Sequence, residues 1–148
     1  MHQLVLLLFG LLLIAFQPMV GSAVRQPNRS LIVIPKYRVE IRNVMKMYIL
    51  DTHCWSKDNN LGLNILLPGE KQHWSFRSNF WGTTLFHCRL EWERGFKEFD
   101  AYIVDETFIN EFCPNKRCVW LAKQDGLYMV NGAGQHVLKY RWKMLRMP

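Results

Sequence analysis

The clearest structural signal in the chain is the alternation of side chains within residues 83–92. Apolar residues recur there at every second position, namely at Phe86, Cys88, Leu90 and Trp92. Polar residues fill the positions between them. This pattern is typical of a β-strand in an antiparallel sheet with one buried face and one solvated face. Such a sheet must cover its apolar face with another layer, which restricts the chain to a few layered architectures.

Short alternating segments separated by turn residues make up most of the remaining chain. The other predicted strands cover residues 37–45, 48–56, 61–67, 73–80, 98–105, 119–123, 127–131 and 136–143. No long apolar stripe with a period of 3.6 residues is visible, so no helix is predicted. About eight strands without a helix indicate an all-β fold, and specifically an antiparallel β-sandwich of immunoglobulin-like architecture.

The first 23 residues have the pattern of a secretory signal peptide. An apolar run over residues 4–16 is followed by Pro18 and by the small residues Gly21, Ser22 and Ala23. We predict cleavage after Ala23 and an extracellular location. A signal anchor is the alternative, because no Lys or Arg precedes the run.

The predicted organisation is a signal peptide over residues 1–23, an irregular leader over 24–36 and a sandwich domain over 37–148. Asn28 begins the Asn-x-Ser motif of the leader and is the predicted glycosylation site. No later stretch is apolar enough to span a bilayer, so we expect no stable membrane insertion.

Four cysteines lie in the secreted part of the chain, which predicts two disulfides in an oxidising compartment. Four cysteines allow three connectivities. Cys54 and Cys88 fall on the inward phase of two different strands, whereas Cys113 and Cys118 flank a short loop. The most economical pairing is therefore Cys54 with Cys88 and Cys113 with Cys118.

The formal net charge of +7 favours anionic partners such as acidic polysaccharide, acidic protein or anionic lipid. Two rows of basic residues are predicted to face solvent: Lys36, Arg38 and Arg42 on the first strand, where Glu40 shares the outward phase, and Lys139, Arg141 and Lys143 on the last. The rows are interpreted as edge protection and solubility, with binding of an anionic partner as the alternative. No recognisable nucleic-acid module is present, so we expect no nucleic-acid partner.

A set of ordered motifs carries a resemblance to a known family. The motifs are His53-Cys54, Ser56-Lys57-Asp58, Asn60-Leu61-Gly62, Trp74-Ser75-Phe76-Arg77, the run NFWGTTLF over residues 79–86 ahead of Cys88, Phe99-Asp100 with Tyr102, Cys113 and Cys118 ahead of Trp120, Asp125-Gly126-Leu127-Tyr128, and Tyr140-x-Trp142. Through these motifs residues 48–142 resemble the plant self-incompatibility protein family, the S-protein homologues.

The resemblance implies a small secreted β-sandwich with the two disulfides paired as above. Founding members of the family resemble stigma-secreted ligands that a pollen-side partner recognises, which leads to rejection of self pollen. The resemblance implies no catalytic residues. The carboxylates, histidines and serines are dispersed and lack the spacing of a nucleophile motif or a metal site, which agrees with this. We therefore predict that the protein is not an enzyme and has no cofactor or metal. We also predict that it is a monomer.

The leading functional hypothesis is therefore a ligand for a cell-surface receptor protein. The alternative is a cationic defence or wall-associated protein that binds anionic polysaccharide or membrane; an uncharacterised secreted hydrolase is a third interpretation. In a rigid sandwich, recognition is expected in the connecting loops. The candidate contact residues are Trp55, Lys57, Asp58, Asn59, Asn60, Glu106, Asn110, Lys116, Asn131 and Gln135.

Tryptophans are assigned to the core or the surface by their phase in the predicted strands. Trp74, Trp92, Trp120 and Trp142 are predicted to be core residues. Trp55 lies opposite Cys54 in phase and is predicted to face outward, either as a partner contact or packed under a loop. The run over residues 79–88 is interpreted as scaffold, with a turn at Trp81-Gly82.

Overall fold

The structure, a computed structural model, describes residues 32–146. The predicted signal peptide, most of the predicted leader and Asn28 lie outside the described residues. Ten strands and one helix follow one another in this order: β1 (Lys36–Asn43), β2 (Leu50–Trp55), β3 (Asn60–Leu66), β4 (Lys71–Arg77), β5 (Leu85–Trp92), β6 (Gly95–Ile103), α1 (Glu106–Phe112), a 3-10 turn (Pro114–Lys116), β7 (Arg117–Lys123), β8 (Gly126–Val130), β9 (His136–Tyr140) and β10 (Lys143–Met144).

The strands form two five-stranded sheets, which confirms the predicted all-β sandwich. The first sheet has the order β4-β1-β7-β8-β9 and the second the order β10-β6-β5-β2-β3. The pairing of β1 with β7 is parallel, and the other strand pairs described are antiparallel. The chain changes sheet between β1 and β2, β3 and β4, β4 and β5, β6 and β7, and β9 and β10, so both sheets contribute to one core.

The core is aromatic, as the phase of the tryptophans predicts. Trp74, Trp92, Trp120 and Trp142 are all buried. Trp120 lies between the sheets, where its indole N–H donates to the carbonyl oxygen of Ala101 over 3.0 Å. Buried aromatic rings supply much of the apolar area that a small domain can remove from water.

Both disulfides have the pairing that was expected. Cys54 is bonded to Cys88 across directly opposed positions of β2 and β5, with a Cα–Cα distance of 4.1 Å. Cys113 is bonded to Cys118 across the 3-10 turn, with a Cα–Cα distance of 4.2 Å. The first bridge lies within one sheet, and the second closes the connection that leads from α1 into β7.

The absence of a helix was predicted wrongly. Residues Glu106–Phe112 form α1, in which the Asp105 side chain accepts a hydrogen bond from the backbone N–H of Phe108 over 2.7 Å. Asp is a favoured residue at this capping position because its carboxylate satisfies an otherwise unpaired helical N–H. A helix of seven residues is too short for its apolar periodicity to stand out in the sequence.

The last predicted strand also differs from the structure. A register irregularity between Leu127 and Tyr128 places Val137, rather than Leu138, against the core. The chain then leaves the first sheet, and Lys143 pairs with Phe96 in the second. Lys139 and Lys143 therefore belong to different sheets, and the predicted basic row on the last strand does not exist as a row. An irregularity of this kind reverses the side-chain phase beyond it.

Candidate binding rim

Four connections of the sandwich lie at the same end of the molecule. Trp55 at the end of β2 pairs with His87 near the start of β5, whose first residue, Leu85, pairs with Ile103 at the end of β6. In the other sheet, Lys36 at the start of β1 pairs with Arg77 at the end of β4. We call this end the rim, and it consists of residues 56–59, 78–84, 104–116 and 131–135.

Neighbouring rim connections contact one another. A cleft of about 280 Å³ lies between the β2–β3 turn and the β4–β5 loop, with Lys57, Asp58 and Thr83 among its lining residues. At the other side, the backbone N–H of Gly132 donates to the carbonyl oxygen of Glu111 over 3.1 Å, which joins the β8–β9 turn to α1. Gly82 of the β4–β5 loop lies against the Val104 side chain, which links the two sides, so the rim is one continuous surface rather than four separate loops.

The structure brings nearly all the sequence-predicted contact residues to this rim. Its exposed members are Lys57, Asp58, Asn59, Glu106, Asn110, Lys116 and Gln135, and the exposed Asn60 begins β3 next to the rim. Asn131 is partly buried and shapes the β8–β9 turn, because its side-chain oxygen accepts hydrogen bonds from the backbone N–H groups of Ala133 and Gln135. The topology thus gathers residues that are up to 78 positions apart in sequence, a juxtaposition that no local pattern reveals.

Trp55 lies on the outer face of the second sheet, next to the rim. It is half-buried, and its ring centre lies 4.9 Å from those of both His53 and His87. His87 Nδ1 is 2.8 Å from Asp100 Oδ1, and His53 Nε2 is 2.9 Å from Asn60 Oδ1. The predicted outward phase is correct, and neighbouring side chains cover part of the indole.

Phe80 and Trp81 are rim residues that the sequence interpretation missed. Their exposed fractions are 65% and 81%, and their rings meet edge to face at 5.5 Å. The run over residues 79–88 was interpreted as scaffold, which holds for Phe86 and Cys88 but is wrong for this aromatic pair. The available signal was the turn at Gly82, since a turn carries its neighbours away from the buried face of a strand.

Hydrogen bonds hold the aromatic pair in place. The backbone N–H of Asn79 donates to Thr84 Oγ1 over 2.7 Å. The side-chain Nδ2–H of Asn79 also donates to Thr83 Oγ1 over 2.7 Å. The side-chain oxygen of Asn79 accepts a hydrogen bond from the backbone N–H of Thr83 over 2.9 Å. Gly82 has a φ of +68°, a conformation that side-chain-bearing residues rarely adopt. The threonines predicted to begin β5 serve instead to fix this loop.

The outer face of β4, β1 and β7 carries a second polar feature, centred on Glu40. The sequence pattern predicts a solvated Glu40, but the structure shows its carboxylate fully covered. Arg42 Nε and Arg117 Nη2 donate to it over 2.5 and 2.6 Å. Lys71 Nζ and Arg38 Nε lie 3.7 and 4.0 Å from it. Cationic side chains from neighbouring strands therefore bury a residue that strand alternation alone places in solvent.

The pKa of Glu40 reflects these contacts. Burial alone would raise the pKa, but hydrogen bonds from Arg117 and Arg42, together with their positive charges, outweigh burial and lower it to about 2 from an ordinary value of 4.5. Because the folded-state pKa is the lower one, the ionised carboxylate stabilises the fold above about pH 4.5 and this contribution is lost as the pH falls toward 2.

We expect a Glu40→Gln variant to lack this pH-dependent contribution. Between about pH 5 and pH 2, the free energy of unfolding of the unaltered protein should fall by about 2 kcal/mol more than that of the variant, a figure that allows for the partial exposure of the arginines. Urea unfolding at each pH measures both. An identical pH dependence of the two proteins would contradict the assignment.

Within residues 32–146, no group of three or more His, Cys, Asp or Glu side chains is arranged to hold a metal ion. None of the helices in this part of the chain is long and apolar enough to cross a membrane.

Two packed sheets, two disulfides and a continuous rim of loops define a small disulfide-bonded β-sandwich protein. The family model described as "Plant self-incompatibility protein S1" matches residues 38–142. The chain belongs to this plant self-incompatibility protein family.

Two relatives agree with this assignment. S-protein homolog 74 of Arabidopsis thaliana is 36% identical over 117 residues, which cover 76% of this chain and 77% of the relative. S-protein homolog 2 of the same plant is 35% identical over 121 residues, which cover 78% and 75% of the two chains.

A solved structure of SPH (Self-Incompatibility Protein Homologue) proteins matches with a TM-score of 0.57 and 23% identity, covering 72% of this chain and 94% of that chain. Those proteins are described as a widespread family of small, highly stable, secreted proteins from plants. At this sequence identity, the similarity shows that the two chains share a fold.

Proposed function

We propose that this protein is a secreted ligand that a plant cell-surface receptor protein recognises through the rim, in cell-to-cell recognition such as the rejection of self pollen. The observation that carries the proposal is the exposed, hydrogen-bonded presentation of Phe80 and Trp81. Membership of a family whose members are described as secreted supports an extracellular site of action. It also supports removal of residues 1–23 and glycosylation at Asn28 after export.

An exposed aromatic pair on a fixed loop has the properties of a binding hot spot. Large apolar side chains in water are unfavourable, and partner association removes that exposed area. Tryptophan is enriched among the residues that dominate binding energy at protein interfaces. Because the Asn79 hydrogen bonds already hold the loop, association would lose little conformational entropy there.

The surroundings of the aromatic pair fit a protein partner. Lys57 and Asp58 line the adjacent cleft, and Glu106 and Asn110 are exposed on α1 at the same end. A central apolar contact surrounded by mixed charges and amides is the usual composition of a specific protein interface. We infer that the protein acts as a monomer by occupying its receptor, without catalysis, a cofactor, nucleic acid or membrane insertion.

Binding to plant protoplasts tests the proposal, because protoplasts lack the wall and leave the plasma-membrane surface accessible. Labelled protein should bind saturably, and a Phe80→Ser/Trp81→Ser variant should bind at least about tenfold more weakly, because a hot-spot residue contributes about 2 kcal/mol or more. Protease treatment of the protoplasts before binding should abolish the signal, since the proposed partner is a protein.

The matched control is a Met47→Ser/Ile49→Ser variant. These side chains lie in the β1–β2 connection at the opposite end of the sandwich, with exposed fractions of 79% and 50%. The control variant should bind within about twofold of the unaltered protein, as expected for residues outside an interface. Non-saturable binding, protease-resistant binding or equal losses in both variants would refute a receptor-binding rim.

A further inference from the structure

The outer face of β4, β1 and β7 carries a concentrated positive charge. Seven cationic residues on these strands face the outer side of the sheet; Lys123, at the end of β7, lies over the Tyr128 ring. We call the other six the basic face: Lys36, Arg38, Arg42, Lys71, Arg77 and Arg117. Each of them is exposed or partly exposed. Together with Glu40 on the same side, the basic face carries a formal charge of +5, compared with +7 for the whole chain.

Strand pairing brings these cations together. Lys36 is opposite Arg77, and Arg42 is opposite Lys71, in the antiparallel pair β1–β4. Arg38 is opposite Arg117 in the parallel pair β1–β7. Like charges on directly opposed residues are unfavourable in a sheet. Three such pairs of opposed cations are more consistent with a binding site for an anion than with an arrangement that only stabilises the fold.

The buried Glu40 offsets only part of this repulsion. In the described part of the chain, the ion pairs of Arg38, Arg42, Lys71 and Arg117 are all made to this single carboxylate. The four basic side chains nevertheless remain 39–51% exposed. Glu40 thus fixes the base of the cluster, and the outward N–H groups of the same side chains remain available to an external anion.

We propose that the basic face binds a linear, carboxylate-bearing polysaccharide of the uronic-acid type. Arginine forms paired hydrogen bonds with carboxylates, and four of the six cations are arginines. The hydrogen bonds from Arg42 and Arg117 to Glu40 already show that arginines of this cluster bind a carboxylate. Successive outward side chains on a strand are about 6.6 Å apart, so the sheet presents cations in rows that suit an extended polyanion.

The same face lacks the features that the other polyanions need. Within the described residues, none of the exposed large apolar side chains lies on β1, β4 or β7, so the face has no anchor for insertion into a lipid surface. The outward residues on β1 and β4 offer one ring, the imidazole of His73, and not the series of aromatic rings on which successive nucleic-acid bases stack. Polysaccharide binding requires neither feature.

De-esterified polygalacturonate is the probe that tests this inference, with fully methyl-esterified pectin as the uncharged comparison. Titration calorimetry at about 50 mM and 200 mM salt should show binding of the charged polymer that weakens steeply with salt, as expected for multiple ion pairs. The esterified polymer should not bind. Binding of both polymers alike, or of neither, would overturn the proposal.

The variant that removes the site is Lys36→Gln/Arg38→Gln/Lys71→Gln. It leaves Arg42 and Arg117 in place to hold Glu40, so the fold should be retained; circular dichroism checks this, and Lys36→Gln/Lys71→Gln is the milder alternative. The charge-matched control is Lys46→Gln/Arg94→Gln/Lys143→Gln, which changes exposed cations on other parts of the surface. The face variant should bind polygalacturonate at least about tenfold more weakly, and the control within about threefold.

Two outcomes distinguish this site from its alternatives. Equal losses in the two charge-matched variants would show that net charge alone attracts the polymer and would refute a defined face. Face-dependent binding to phosphatidylserine vesicles that exceeds binding to polygalacturonate would replace the polysaccharide with a lipid surface. The Phe80→Ser/Trp81→Ser variant should bind the polymer normally, so failure at the rim and failure at the basic face are separable.

Discussion

Replacing both Cys54 and Cys88 by alanine is expected to lower the free energy of unfolding by about 4 kcal/mol. The bridge joins residues 34 positions apart, so its loss restores a large number of conformations to the unfolded chain. Both cysteines are fully buried, and the pair is directly opposed in β2 and β5. Guanidinium unfolding of the two proteins measures the difference, and the thermal midpoint should fall by roughly 10–15 °C.

The second disulfide is the control for this prediction. Cys113 and Cys118 are only five positions apart, so their replacement by alanine should cost about 2 kcal/mol. Equal costs for the two bridges would contradict the loop-length argument. A Cys88–Cys118 link in a non-reducing peptide map would contradict the connectivity itself.

Trp120→Ala is expected to lower the free energy of unfolding by about 4 kcal/mol, because it opens a cavity between the two sheets. The centre of the Trp120 ring lies 4.6 Å from the centre of the Phe99 ring and 6.0 Å from that of the Tyr140 ring. Its loss also leaves the carbonyl oxygen of Ala101 without the indole donor. Urea unfolding measures the effect.

Trp81→Ala is the matched control, since it removes the same side chain from the exposed rim. We expect it to change stability by no more than about 0.5 kcal/mol, as is usual for surface positions. Similar losses for the two tryptophans would mean that the aromatic rim residues belong to the core, and the proposed contact surface would then fail as well.

Local side-chain alternation was sufficient for the fold class and for much of the core. The segment ending in Trp92 shows this, because the four residues predicted to face inward are all buried in β5. Period-two alternation depends only on adjacent residues and on the pleat of the strand. This alternation can therefore be recognised in a sequence without knowing which strands are neighbours. The same phase argument paired Cys54 with Cys88, whereas Cys113 and Cys118 were paired because they flank a short loop.

Sequence patterns gave wrong predictions where the burial of a side chain depends on distant segments of the chain. Glu40 has the phase of a solvated residue but is buried by Lys71 and Arg117, which are 31 and 77 positions away. Leu138 has the phase of a core residue but faces outward, because the register between β8 and β9 changes beside it. The seven-residue helix α1 is too short to show a helical period.

The sequence by itself determined that this chain folds as a disulfide-bonded sandwich and which family it resembles, since strand phase, cysteine positions and motifs are properties of short segments. Only the tertiary structure decided that four separate connections form one rim, that Phe80 and Trp81 project from it, and that six cations share one face. These surfaces arise from strand order and register, which are set by packing between residues far apart in the chain.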